Sequence, residues 1–581
     1  MTAHRRLIAG RHEDVTARVA RVLGRTGHRA DVVTHDRHTE ITVETTDEPA
    51  AKRLLDLVEE ELSPRAWREW PANDTDRAPA RAGTVVHQFL EQAGRTPEAV
   101  LLTGPEGDVT YAELAGMAST VAGELRDRGV TAGSAVGLLA GRTVAGLAGL
   151  WGVLLAGAAY LPLDPTQPPA RLAALAADAG VSACLAERAH AGTVPGAIAL
   201  ETVLARHSSG TPAVTTGAQD PAYLIYTSGS TGRPKCVEVT HGNLSTFTDW
   251  AIRVYGVHPG TRFPLFTSLA FDLSNTAVFL PALTGGSVAL VPGELDHLVL
   301  RNMLARSGST ALKLTPTHLD LIGRLGLRAE GYEAVIAGGE LLRGDVAHRA
   351  QRAFGAGCRI FNEYGPTETT VGCMTRLFDP DRDSEHTSVP IGVPTDNTRI
   401  HLLDEAGRFV QPGAVGEIHI AGAQVATGYR GEPELTRDRF VQLADGTRAY
   451  RSGDLARLLP SGELESAGRD DEQLKINGYR IEPAEIAHAL EQHPAVVHAH
   501  AMGVARAATG GKALAAFAVL AEPVEPEELL DHLRQLLPGY QVPSTVLVLP
   551  ELPTTHNGKI DGHALAALAT LAAESSRGAA R

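Results

Sequence analysis

The chain is predicted to be an α/β protein: a large body of layered α/β subdomains with a β-rich subdomain, a small α+β C-terminal unit, and an extra N-terminal αββα unit. Three observations predict it. Between about residues 84 and 465, helix-periodic stretches such as Gln88 to Gln92 and Leu114 to Arg128 alternate with short apolar runs such as Ala135 to Leu139, Val288 to Val291 and Ala334 to Ile336. That alternation is the mark of α/β layers with largely parallel sheets. Near 400 to 420 the strands become close-spaced, with turn signals at Glu405-Ala406-Gly407 and Gln411-Pro412-Gly413, and after Gly468 the texture changes again.

Taken in order, residues 1–62 combine a helical pattern (Glu13 to Arg25), two strand-like runs with clear alternation in Thr39 to Thr45, and a second helix from Ala50 to Leu62. Residues 63–83 hold Pro64, Pro71 and Pro79 amid charges and read as a linker, with Trp67 and Trp70 available to dock it. Residues 84–470 form the body. Residues 471–566 carry helices at Ala484 to Gln492 and Glu525 to Leu537 and strands at Val496 to Met502 and Ala513 to Leu520; residues 567–581 are a tail expected to fray from Leu571.

At roughly 150 residues per domain, 581 residues accommodate about four compact units. A net charge of −15 disfavours a nucleic-acid or anionic-membrane footprint. The four cysteines, Cys184, Cys236, Cys358 and Cys373, have no paired spacing for a disulfide framework or a zinc site, which fits a reducing cytoplasm. After Arg5 and Arg6 the apolar run Leu7 to Ala9 is too short for a signal peptide. Val144 to Leu163 is uncharged and long enough to cross a membrane, yet its glycines and Pro162 make it read as a buried helix running into a buried strand.

The sharpest local signal is Tyr226-Thr227-Ser228-Gly229-Ser230-Thr231-Gly232-Arg233-Pro234-Lys235, directly after the apolar run Ala222 to Ile225. Backbone N–H groups and hydroxyls of such a loop can wrap phosphate oxygens, with Lys235 supplying charge. It is not a Walker A loop, and taken alone such a loop is more often a plain turn.

Its company decides. Asn362-Glu363-Tyr364-Gly365-Pro366-Thr367-Glu368, Tyr450-Arg451-Ser452-Gly453-Asp454-Leu455, Gly468-Arg469-Asp470-Asp471 and Asn557-Gly558-Lys559 follow in that order, flanked upstream by Thr110 to Leu114 and Ala156 to Pro162. This ordered set, from about Gly104 to Asp561, resembles the adenylate-forming superfamily, and in particular the adenylation domains of nonribosomal peptide synthetases. The resemblance implies ATP and Mg²⁺ as cofactors and a mobile C-terminal lid. Thr227, Ser228, Gly229, Ser230, Thr231, Gly232 and Lys235 would hold the triphosphate, and Glu368 would ligand Mg²⁺, a carboxylate being a hard oxygen ligand. Thr367 would face the α-phosphate, Tyr364 stack on adenine and Asp454 bind the ribose hydroxyls, with Gly339, Asn362 and Arg469 completing the nucleotide set. Lys559 would bridge substrate carboxylate and α-phosphate. Asp471 would be the lid hinge, and Lys475 and Gly478 would fall in the lid segment that enters the site for thioester formation.

Phe271-Asp272-Leu273-Ser274 resembles the motif whose Asp grips the α-ammonium of an amino acid, and the aligned pocket comprises Asp272, Leu273, Thr276, Lys313, Ile336, Gly338, Glu363, Val371 and Gly372. Lys313 offers only donors and ionised Glu363 only acceptors, which together match a side-chain carboxamide. Asparagine is the smallest amino acid that fits. Aspartate would face Glu363, and like charges about 4 Å apart cost on the order of 4 kcal/mol at an effective dielectric near 20, partly offset by Lys313. Glutamine differs by one methylene, worth only roughly 1–3 kcal/mol. The alternative is that Lys313 and Glu363 simply pair with each other.

Cys236, Thr427 and Gly562 depart from residues usual in the family without removing a named catalytic group. After Asp561 about 20 residues remain, too few for a carrier domain, so the chain reads as free-standing. Its expected partners are an amino acid, a carrier protein with a phosphopantetheine arm in trans and a small activator protein, with no nucleic acid and no membrane. The rival functions are an amide ligase passing the adenylate to a small amine, an acyl-CoA ligase, which Asp272 argues against, use of aspartate or a β-modified asparagine, and a catalytically silent scaffold.

Overall fold

The structure is a computed structural model and describes residues 2–9, 29–34, 38–45, 70–206, 214–229, 232–293, 296–383, 387–505, 512–555 and 560–579. Strands Thr2–Ala9, His38–Thr45 and Arg29–Thr34 form an antiparallel sheet with His38–Thr45 in the middle. The N-terminal unit therefore opens with a strand, which corrects the αββα order expected for it. Thr2–Ala9 pairs residue for residue with His38–Thr45, from Thr2 opposite Thr45 to Ala9 opposite His38. Its own alternation is interrupted by adjacent Arg5 and Arg6, so the strand declares itself only through that distant partner. The expected helices Glu13 to Arg25 and Ala50 to Leu62, and Trp67, lie outside the described residues.

From Trp70 onward the linker is laid along the β-rich unit. Trp70 is buried and its indole N–H donates to Gly462 O at 3.0 Å. Asn73 imitates a strand neighbour, donating Nδ2 to Ile400 O at 2.8 Å and accepting Ile400 N–H at 2.9 Å.

Three sheets form the frame of the body. The first runs, in spatial order, Gly428–Tyr429, Lys235–Thr240, Pro221–Thr227, Ala159–Leu163, Ala135–Leu139, Ala183–Ala186, Ile198–Ala199; it is parallel from Pro221–Thr227 onward and antiparallel at its other end. The uncharged stretch after Thr143 is helix Val144–Ala156, nearly all buried, then Gly157 and the buried strand Ala159–Leu163, as expected. Among the described residues no helix is long and apolar enough to cross a membrane. The second sheet is Arg262–Leu265, Ser287–Leu290, Val100–Gly104, Gly107–Thr110. The third starts with parallel strands Ala311–Leu314, Ala334–Gly338 and Arg359–Tyr364, which set Lys313 beside Ile336 and Gly338 beside Glu363.

The β-rich unit is antiparallel: Thr398–Leu403, Val415–Gly422, Arg448–Leu458 and Phe440–Gln442, with Leu464–Arg469 also on Arg448–Leu458. Beyond it come the hairpin Leu474–Ile476/Tyr479–Ile481, helices Pro483–Glu491 and Pro526–Leu536, and a sheet of Val496–Ala505, Lys512–Leu520 and Val546–Val548 around their own apolar core. Helix Gly562–Ala579 then runs through the segment expected to fray. Its alanine-rich sequence favours helix over coil, a preference that outweighs its terminal position.

Candidate active site

Thr227 ends one strand of the first sheet and Lys235 begins its antiparallel neighbour, the two lying opposite each other, so the Ser/Thr/Gly run is a hairpin loop. Ser230 and Thr231 lie outside the described residues. Gly229 is required by close approach: a Cβ there would sit 1.9 Å from Arg233 O. Ser228 Oγ donates to Arg480 O at 2.8 Å, whereas Thr227 Oγ1 is sealed from solvent without a partner among the described residues. Lys235 is buried, and burial together with the nearby Arg480 charge lowers its ammonium to about 8 against the pull of Glu368.

Glu368 is fully buried on the short turn Thr367–Thr369. Tyr429 OH donates to its Oε1 at 2.7 Å, Arg480 Nη1 to its Oε2 at 2.8 Å, and Lys235 Nζ stands 3.6 Å from Oε1. Burial alone would raise this carboxyl, but Arg480 and Lys235 overcome it and hold Glu368 well below the usual carboxylate range. Among the described residues no three His, Cys, Asp or Glu side chains cluster as a metal cage. One ionised carboxylate beside a loop of hydroxyls and glycines fits Mg²⁺ carried on a nucleotide, whose phosphates would supply the other oxygens.

A second charged knot joins the β-rich unit to the C-terminal unit. Asp454 receives Tyr364 OH at 2.8 Å and Lys475 Nζ at 3.4 Å on Oδ2, and Arg469 Nη1 at 2.7 Å on Oδ1. Burial would raise Asp454, but Lys475 and Arg469 keep it below its ordinary value. Arg469 also grips Asp471 through two bonds, Nε to Oδ1 at 2.6 Å and Nη2 to Oδ2 at 2.7 Å, so Asp471 is held at the junction of the units. Hairpin residue Gly478 donates its N–H to Glu340 Oε1 at 2.7 Å, beside Gly339.

Between these groups lies a cavity of about 110 Å³, lined by Thr227, Ser228, Asp272, Leu273, Lys313, Gly338, Gly339, Glu363, Thr367, Val371, Gly478, Arg480 and Tyr540 among others. Asp272 stands at the start of helix Leu273–Ala282 without capping it. Its Oδ2 is sealed from solvent with no hydrogen-bond partner among the described residues. Burial pushes its carboxyl up to about 6, with Thr367 and Lys313 pulling it down. An anionic acceptor kept dry and unsatisfied is built for a cationic donor.

Across the cavity Lys313 Nζ donates to Glu363 Oε1, and Tyr255 OH to Glu363 Oε2; Lys313 and Glu363 are each 4% exposed. The two do pair, yet Lys313 keeps two further donors and each Glu363 oxygen a further lone pair. Gly372 backs the pair, since a Cβ there would lie 2.4 Å from Glu363 Cδ. Ile336, Thr276 and Gly372 stand outside the cavity lining: Ile336 is wholly buried between its strand neighbours, and Thr276 Oγ1 is buried without a partner among the described residues. Asn362 is also outside the lining, because both bonds of its Nδ2 go to Val389 O and Pro390 O at 3.0 Å. It braces the strand, and the alternation that aims Glu363 one way turns its neighbour elsewhere. Lys559 lies outside the described residues.

Arg480, Glu340, Tyr255 and Tyr540 belong to the site and were not singled out from sequence. Glu340 carried a signal, the double glycine before it at a strand end. Arg480 lies two residues beyond Gly478, in the lid segment that the resemblance marks. Tyr255 and Tyr540 carried none.

The AMP-binding enzyme family matches residues 89–430, and the AMP-binding enzyme C-terminal domain matches residues 485–559. Tyrocidine synthase 3 of Brevibacillus parabrevis is 39% identical over 495 residues, 84% of this chain and 8% of that protein. Syringomycin synthase SyrB1 of Pseudomonas syringae pv. syringae is 36% identical over 519 residues, covering 84% of each. Among solved structures, holo-PA1221, an NRPS protein containing adenylation and PCP domains, superposes with a TM-score of 0.74 at 29% identity over 85% of both chains. The chain spans only 8% of the length of tyrocidine synthase 3 and 8% of that of bacitracin synthase 3 of Bacillus licheniformis.

Proposed function

The chain belongs to the AMP-binding enzyme family, whose members use ATP, and from that premise we propose that it activates L-asparagine as asparaginyl-AMP with release of pyrophosphate, then passes it to a phosphopantetheine thiol on a carrier protein in trans. The observation that carries the reading is the pairing of dry, unpartnered Asp272 Oδ2 with the Lys313–Glu363 couple across one small cavity. Asp272 would take the α-ammonium. The couple is neutral overall and presents a donor beside an acceptor, the complement of a carboxamide and a poor match to a second carboxylate.

The substrate carboxylate then points towards the Thr367 and Glu368 turn. The loop from Thr227 to Lys235 would wrap the triphosphate, Glu368 would hold Mg²⁺, and Mg²⁺ when bound would neutralise the phosphate oxygens. Thr367 would face the α-phosphate and Tyr364 the adenine. Asp454 would take the ribose hydroxyls from its anchored position, with Gly339 and Arg469 completing the nucleotide site. Lys559 would offset the negative charge that builds as carboxylate oxygen attacks the α-phosphorus and the bond from that phosphorus to the leaving pyrophosphate breaks.

The hairpin Leu474–Ile481 stands in the site, with Lys475 on Asp454 and Arg480 on Glu368, which supports reading this arrangement as the thioester-forming state hinged at Asp471. A carrier-protein partner is supported by similarity to NRPS proteins that contain adenylation and PCP domains, and its place in trans is part of the proposal. A cytoplasmic location and a small activator protein belong to the same proposal. The test is ATP–pyrophosphate exchange against all proteinogenic amino acids together with aryl and fatty acids, followed by a holo carrier and a mass measurement. Exchange led by asparagine and a carrier mass gain of one asparaginyl group are expected; exchange without carrier loading favours the small-amine ligase.

A further inference from the structure

We infer that Gln424, a residue of the β-rich unit that reaches no substrate, positions the selectivity wall of the pocket, a proposal that rests on the amino-acid adenylation reading. The wall is the turn Thr370-Val371-Gly372. Thr370 and Val371 are β-branched yet adopt φ of 58° and 68°, a left-handed backbone such side chains rarely visit. Val371 faces the cavity and Gly372 lies against the Glu363 side chain, so this strained turn fixes where Glu363 can stand.

Something must hold such a turn, and the fully buried Gln424 does. Its Nε2 donates to Gly372 O at 2.8 Å and to Thr370 O at 3.3 Å. Its Oε1 accepts the hydroxyls of Thr395 and, at 3.0 Å, Thr398, while the two carbonyls on Nε2, which can only accept, fix which end of the amide faces the turn. Thr370 Oγ1 returns a bond to Gln424 O at 2.7 Å. The catalytic side of the same turn is held separately: Glu368 O accepts Ala426 N–H at 2.9 Å, and Glu368 Oε1 accepts Tyr429 OH. The Gln424 side chain therefore governs the amino-acid end of the turn and leaves the nucleotide end to other bonds.

The test compares the full chain with Gln424→Met, which keeps the volume and removes every side-chain bond, and with Thr398→Val, which removes one hydroxyl bonded to the amide oxygen. For Gln424→Met the KM of the preferred amino acid should rise on the order of tenfold while that of ATP stays within about twofold, discrimination among amino acids narrowing in parallel. Thr398→Val should move the same quantities the same way by less. Hydrogen exchange followed by mass spectrometry should quicken at residues 370–373 in both variants. Equal rises in both KM values with a lowered melting temperature, or unchanged exchange at 370–373, would overturn the proposal. A wild type preferring another amino acid would overturn asparagine alone, and the KM comparison is then read on that acid. A wild type silent with every acid would overturn adenylation, and the exchange measurement still decides whether Gln424 holds the turn.

Discussion

The two ends of the cavity are built in different ways. At the proposed nucleotide end, the donors that meet on Asp454 and Glu368 come from two units: Tyr364, Arg469, Tyr429 and Lys235 from the body, Lys475 and Arg480 from the hairpin beyond Asp471. At the side-chain end, Lys313, Glu363 and Tyr255 all sit on the body, two of them on strands of one sheet. An end assembled from separable parts can be opened and rebuilt between two chemical steps. An end framed by one sheet keeps its selectivity through both.

Asp272 faces the rigid end and would hold the ammonium, so its loss carries the largest effect. Asp272→Ala should lower kcat/KM for amino-acid activation on the order of 10²- to 10³-fold, the cost of leaving a buried cation unpaired; pyrophosphate exchange reads it. Glu363→Gln should shift the ratio of asparagine to aspartate use towards aspartate by roughly a hundredfold, because a repulsion worth a few kcal/mol is removed. If the ratio does not move, the rigid end is not what selects. Arg480→Gln, at the assembled end, should slow carrier loading on the order of tenfold more than it slows pyrophosphate exchange, as read by single-turnover mass measurement.

Acidity separates the ends again. With its carboxyl pushed up to about 6, Asp272 gains protons as pH falls through that value and loses its grip on an ammonium. The KM for the amino acid should rise about tenfold per pH unit below 6, without a matching rise for ATP. Folding linkage runs the opposite way: the carboxyl binds a proton more tightly folded than unfolded, so folding stability falls as pH rises from about 4 through 6. The smallest effect belongs outside both ends. Trp70→Phe removes the bond to Gly462 O and should cost about 1 kcal/mol of stability in a denaturant titration, leaving exchange activity untouched.

Sequence legibility followed the same division between local and assembled features. The hydroxyl and glycine loop, Asp272 and Glu363 are legible because each sits in a short motif, whereas Lys313, on a strand buried throughout, is legible only through the pocket of the family that the chain resembles. Asn362 misled, since its motif neighbours point into the cavity while strand alternation sends its amide to Val389 O and Pro390 O. Tyr255 and Tyr540 reach the site only through packing between distant segments, and nothing near them in sequence marks a ligand. Strand Thr2–Ala9 is hidden because its partner residues lie about 30 to 43 positions on, and the terminal helix because a chain end tends to fray where alanine content does not, as it does here, favour helix.

The most direct measurement of the central claim is competition between asparagine and aspartate in ATP–pyrophosphate exchange, run on the wild type and on Glu363→Gln side by side. The wild type should favour asparagine by at least about a hundredfold, with the preference largely gone in the variant. Equal use of the two acids by the wild type, or a preference that survives the loss of the Glu363 charge, would contradict the account.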